Sequence, residues 1–91
     1  MLLNPVSSGS VTSTGTLTFN SRILGGVLIS ADGTNAVTIT LQKDNSSGDE
    51  VFDLVTKSPI FVAAPISIGS NAGYYSVSGT GGAAQFYEWA E

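Results

Sequence analysis

SRILGGVLISADGTNAVTITLQKD, residues 21–44, holds two apolar runs separated by Asp32-Gly33. In the second run Val37, Ile39 and Leu41 alternate with Thr38, Thr40 and Gln42. A period of two puts successive side chains on opposite faces of an extended chain, so one face is apolar and the other polar. The Asp-Gly pair is a turn signal, and the stretch reads as a β-hairpin with one buried face. Gly25-Gly26, inside the first run, reads as a bulge or a close backbone approach. A phosphate-cradling loop would need more glycines and a following helix, and neither is present in this stretch.

Working outward, the same period predicts a strand over Thr14–Phe19, with Leu17 and Phe19 inward and Thr16 and Thr18 outward. Further strands are expected at 22–30, 36–43, 51–57, 74–78 and 83–89. Pro59 and Pro65 bracket residues 60–64, which places that strand at an edge or at a switch between sheets. Turns are expected at DNSSGDE (44–50), at Asn71–Gly73 and at GTGG (79–82). No window sustains a helical period. The prediction is an all-β fold, an antiparallel β-sandwich or jelly-roll-like domain of about seven to eight short strands. Residues 14–91 form its single domain. Residues 1–13, MLLNPVSSGSVTS, read as an extended arm whose Leu2, Leu3 and Val6 would gain from burial on a neighbour.

Composition narrows the function. Charged residues are 11% of the 91, against about 25% in an ordinary soluble domain, while Ser and Thr number 22. Such a surface desolvates cheaply, which favours association. The net charge is −4 and the cations are Arg22, Lys43 and Lys57. Nucleic-acid affinity rests on neutralising several phosphates, so neither a nucleic acid nor an anionic membrane is an expected partner. No run approaches the ~20 apolar residues of a membrane span, and Met1–Pro5 lacks the features of a signal peptide, so folding in a cytoplasm is expected.

The chain has no Cys and no His. Disulfides, thiolate metal sites, thiol nucleophiles and Ser–His–Asp catalysis are thereby excluded. The carboxylates Asp49, Glu50, Asp53, Glu88 and Glu91 remain, yet a 91-residue sandwich has scant room for the deep cleft that paired-carboxylate chemistry uses. No enzymatic activity and no cofactor are expected. Calcium at DNSSGDE is weighed against a solvated turn. Gly48 stands where an EF-hand-like spacing requires a ligand, and the turn is preferred, with no metal assigned.

The last predicted strand, AAQFYEWAE, puts Phe86 and Glu88 on one face and Tyr87 and Trp89 on the other. If Phe86 points inward, Tyr87 and Trp89 are presented outward, where aromatic side chains anchor interfaces. If Tyr87 and Trp89 are the core residues, no contact surface follows. The candidate partner-binding residues are therefore Leu2, Leu3, Val6, Tyr87 and Trp89. With Tyr74 and Tyr75, the last two would compose a sugar-binding platform instead.

The succession GGVLISADGTNAVTITLQKDNSSG (25–48) and PIFVAAPISIGSNAGYYSVSGTGGAAQFYE (59–88) resembles small virion proteins of tailed bacteriophages and prophages. The segments that carry it are Ala36–Leu41, Asn45–Gly48, Gly73–Gly81 and Phe86–Trp89, and it covers roughly residues 17 to 89. The resemblance implies a β-sandwich that decorates or cements the capsid exterior, assembled in the host cytoplasm. It implies the major capsid protein and neighbouring copies as partners, with a homotrimer at local threefold axes as one arrangement. A head-fibre, neck or tail component is the structural alternative. A carbohydrate-binding or adhesin module is the alternative of another class. No catalytic residue comes with the family.

Overall fold

The computed structural model describes residues 2–6, 10–69 and 71–90. Eight strands follow in order: β1 (Leu2–Pro5), β2 (Thr14–Thr18), β3 (Ile23–Ser30), β4 (Val37–Lys43), β5 (Glu50–Thr56), β6 (Ile60–Ser67), β7 (Ala72–Ser78) and β8 (Ala83–Ala90). They form two antiparallel sheets, β1-β8-β3-β6 and β2-β7-β4-β5. β1 pairs with β8, β2 with β7, β3 with β6 and β4 with β5. The chain is thus one long hairpin, β1–β4 against β5–β8, rolled so that its arms alternate between two sheets. That is the strand order of a jelly roll.

The core lies between the sheets. Leu17, Phe19, Val27, Ile29, Val37, Ile39, Leu41 and Phe86 point into it and are essentially inaccessible. Each contributes about 1.5–3 kcal/mol by leaving water. Tyr75 and Phe86 meet across the gap, ring centroids 5.9 Å apart and tilted by 41°. The alternation in 37–42 is therefore the signal that sets the fold, with Thr38, Thr40 and Gln42 left on the outside.

The strands flanking Asp32-Gly33 form, but they do not pair with each other. β3 lies between β8 and β6, whereas β4 lies between β7 and β5 in the other sheet. The hairpin expected over 21–44 is thus an arch from one sheet to the other. Side-chain chemistry widens the turn. The Asp32 carboxylate accepts the backbone N–H groups of Thr34 and Asn35 and the Asn35 side-chain amide, each at 2.8 Å. Gly33 takes the left-handed conformation, φ 87°, that the turn needs. The loop 31–36 is thus a six-residue connection between the sheets instead of a two-residue reversal within one.

These hydrogen bonds favour the ionised form of Asp32. The Asn35 N–H does most, followed by that of Thr34, and the carboxyl is held below its ordinary value. A carboxylate depressed in the folded state stabilises the fold above its unfolded pKa, and that contribution is lost as pH falls through the folded one. The urea midpoint of the wild type is expected to exceed that of Asp32→Ala at pH 7. The gap should close progressively below about pH 4. A gap independent of pH would show that the charge is not what holds the arch.

The N-terminal segment is not a separate arm. β1 runs antiparallel along β8, from Leu2 opposite Ala90 to Pro5 opposite Tyr87. Val6 N–H then donates to Phe86 O at 2.8 Å, and Val11 exchanges two backbone bonds with Ala84. Val6 and Val11 are 2% and 9% exposed and belong to the core. Ser13 O accepts the Val77 N–H before β2 joins the second sheet. Leu2–Val6 and Val11 thereby pair backbone groups of β8 that would otherwise face outward along its edge.

Candidate functional site

The two outer faces differ in chemistry. On the β2-β7-β4-β5 sheet, the outward positions are mostly hydroxylated: Thr14, Thr16 and Thr18 on β2, Ser76 and Ser78 on β7, Thr38 and Thr40 on β4. Asp53 stands outward on β5, opposite Thr40. Hydroxyls and a carboxylate dominate this face, with Tyr74 on β7 and Val55, 60% exposed on β5, as its apolar members.

The outer face of the β1-β8-β3-β6 sheet carries no charged side chain among the described residues. Leu3 lies opposite Trp89, Tyr87 opposite Gly26, and Leu28 opposite Phe61. The Phe61 and Tyr87 rings meet edge to face, centroids 5.9 Å apart. Leu3, Leu28 and Phe61 are 38%, 42% and 43% exposed, while Tyr87 and Trp89 are half-buried among them. An aromatic and aliphatic strip therefore crosses the sheet diagonally, interrupted by no charge. It gathers three of the five exposed large hydrophobic side chains among the described residues, Val55 on the opposite sheet and Ile60 being the others, and apolar patches mark interaction sites.

The glycine pair makes the strip possible. The register shifts between Leu24 and Gly26, as in a bulge, against both neighbouring strands. A Cβ on Gly26 would stand 2.7 Å from Phe61 Cζ, and one on Gly25 would collide with Leu3 Cδ2. Both side chains lie flat over bare backbone, which is the close approach predicted for Gly25-Gly26.

Of the five partner-binding candidates, Leu3, Tyr87 and Trp89 share this face. Phe86 is the inward residue of β8, so its neighbours in sequence point outward. Val6 does not belong to a contact surface. The bond from its N–H to Phe86 O turns its side chain between the sheets. The Leu2 side chain lies outside the described residues. Leu28 and Phe61 complete the strip and were not among the candidates. Neither is legible from a local pattern, because ILGGVLI and IFVAAPI carry no polar residue to mark a face.

The four aromatic residues offered as a sugar platform are not on one surface. Tyr75 is 8% exposed and packs between the sheets, and Tyr74 points outward on the opposite sheet from Tyr87 and Trp89. In the β4–β5 hairpin loop, the carbonyls of Ser46 and Gly48 accept the Gln42 side-chain amide at 3.1 and 3.0 Å. Asn45 Oδ1 accepts the Ser47 N–H. These oxygens are committed within the turn. Among the described residues no pocket forms and no group of three or more acidic side chains is placed to hold a metal ion.

Glu88 is the buried carboxylate among the described residues, 6% exposed. Its carboxylate accepts the N–H groups of Asn20 and Ser21 at 2.6 and 3.0 Å and Asn20 Nδ2 at 3.3 Å. Beside it, Asn71 donates to Phe19 O and accepts from Arg22 Nε. Together these bonds tie the loop before β3 to β8 on one side and to the loop before β7 on the other. Every carboxylate oxygen of Glu88 is occupied by structure, which makes it a positioning group for that end of the sandwich. Compared with known protein families, with curated proteins and with solved structures, the chain finds no match in any of the three.

Proposed function

We propose that this chain is a non-enzymatic structural subunit that docks on another protein through the outer face of the β1-β8-β3-β6 sheet. In the reading its sequence resemblance suggests, it is a decoration or cement protein on the capsid exterior of a tailed bacteriophage. The observation that carries docking is the contiguous uncharged strip Leu3–Trp89–Tyr87–Phe61–Leu28, on a chain whose other outer face is mostly hydroxylated. A cement protein works by adding apolar contact across joints between capsid subunits, and it needs no reacting group. Half-buried aromatic side chains flanked by aliphatic ones suit that task, because they lose little rotamer freedom on contact and exclude water from a wide area.

The test is sedimentation of the purified chain with shells of the encoding phage that lack it. Trp89→Ala and Phe61→Ala are each expected to weaken retention by about tenfold or more, as central aromatic anchors do. Tyr74→Ala, on the opposite sheet, should leave retention unchanged. Absence of the wild type from shells overturns the capsid reading. Equal retention of all variants overturns the docking face. Copy number then separates sites: hundreds per particle fit cement, a dozen or fewer fit neck or tail.

A further inference from the structure

We infer that the occupant of the outer strip is an extended, uncharged, proline-rich segment of a partner protein, lying across the strands in the polyproline II conformation. The inference rests on the docking face proposed above and names the chemistry that this face takes.

Strand register gives the strip its dimensions. Leu3 opposite Trp89 marks one end, on β1 and β8, and Leu28 opposite Phe61 marks the other, on β3 and β6. Gln85 of β8 stands opposite Leu28, so the two ends are four residues apart along β8. Three strand spacings across and four residues along make a diagonal of about 20 Å. The whole outer face of this sheet projects at most about 500 Å², from strand spacing and rise. Each partner in a standard contact between folded surfaces contributes about 800 Å². The face is therefore too small for a second folded surface and long enough for a single extended segment.

The backbone decides which extended conformation. The N–H and C=O groups of a sheet lie in its plane and are engaged by neighbouring strands, so a segment crossing the outer face is offered no ladder. A β-strand laid there would cover its own polar groups without pairing them. Polyproline II has no backbone–backbone bonds to lose, and each proline lacks an N–H to satisfy. At about 3.1 Å per residue, about six or seven residues span the diagonal.

Rings and donors are what the strip does offer. Phe61 and Tyr87 meet at 76°, centroids 5.9 Å apart. Rings set edge to face make a notch that takes a pyrrolidine ring, whereas a sugar stacks on a flat platform. The Tyr87 hydroxyl and the Trp89 indole N–H donate to no other described residue. They stand two residues apart on β8, about 7 Å by strand rise. Both can donate to the carbonyls that polyproline II leaves free. Aromatic-lined surfaces recognise proline-rich segments by this combination. Charge agrees, because a charged residue on the segment would lose hydration against a strip that holds no counter-charge.

The experiment is titration of the full chain with a blocked peptide of about nine prolines, a blocked Gly-Ser peptide of equal length, and a glucose oligosaccharide. Trp89 is the one tryptophan in the chain, so its emission reports the strip directly, and amide shifts map the contact. Expected are saturable changes with the proline peptide, centred on Phe61, Tyr87 and Trp89, and none with the other two probes. Phe61→Ala should weaken binding at least about tenfold, as loss of an aromatic anchor does. Tyr87→Phe keeps the ring and removes the donor, for an expected loss of about three- to tenfold. Tyr74→Ala, on the opposite sheet, should leave the affinity unchanged. If Phe61→Ala does not fold, Tyr87→Phe decides alone. The inference is overturned by no saturable change up to about 5 mM proline peptide. An equal response to the Gly-Ser peptide, a response to the oligosaccharide alone, or undiminished binding by the folded variants overturns it as well. Retention on shells without peptide binding sinks this inference and leaves the docking face standing. Peptide binding without retention on shells sinks the capsid reading alone.

Discussion

Deletion of residues 1–11 is expected to unfold the domain. The segment contributes two core valines, Val6 and Val11, and each loses about 1.5–3 kcal/mol of burial when removed. It also takes away the β1–β8 ladder and the bonds from Val6 to Phe86 and between Val11 and Ala84. Net contributions near 1 kcal/mol for each of the three bonds of Val6 and Val11 bring the total to about 6–9 kcal/mol before the β1–β8 ladder is counted. A domain of this size has about 5–10 kcal/mol of stability in all. The deletion also converts β8, a central strand, into a bare edge. Trp89 fluorescence and the dispersion of amide resonances report the outcome: the truncated chain should resemble the urea-unfolded state in buffer. A truncated chain that melts with the wild-type midpoint would restore residues 1–13 as an arm outside the fold. Val6→Ala gives the graded version, with an expected loss of about 2 kcal/mol.

That segment also shows where a single sequence stops being informative. Strands were legible wherever burial is one-sided, as at Leu17 and Phe19 or at Val37, Ile39 and Leu41, because the period of two is written locally. The edge position of β6 was one of the two readings that Pro59 and Pro65 left, the other being a switch between sheets, since proline forfeits a ladder bond. The role of Val6 and Val11 was not, because nothing periodic marks them and their partners on β8 lie more than 70 residues away. Asp32-Gly33 announced a reversal but not which sheet the next strand would enter. That choice depends on β5–β8, which compete for the edges of β3 and β4. The site divides in the same way. Alternation sets Tyr87 and Trp89 on one face of β8, but only the burial of Phe86 decides which face is core. Phe61 entered the strip through its register with β3, and no local pattern encodes a register.

Glu88→Ala is expected to cost about 3–5 kcal/mol, more than most surface changes and as much as a core truncation. Its carboxylate is the shared acceptor for the Asn20 and Ser21 N–H groups, both part-buried where β8 meets the loop before β3. Removing it leaves two donors with no partner, each costing about 1–3 kcal/mol. Glu88→Gln discriminates between charge and acceptor. Its amide oxygen can take the place of Oε1 and accept both backbone bonds, but its NH₂ then faces Asn20 Nδ2, donor against donor. A loss of about 1–2 kcal/mol is expected, and Asn20→Ala in the Gln background should cost less than in the wild type. Glu88→Leu, similar in size and wholly apolar, should be at least as damaging as Ala. Urea midpoints measure the order, and amide exchange at Asn20 and Ser21 should quicken in the Ala and Leu variants before it does elsewhere. If Leu instead matched or exceeded the wild-type stability, burial alone would account for position 88, and the loop before β3 would hold its geometry without the carboxylate.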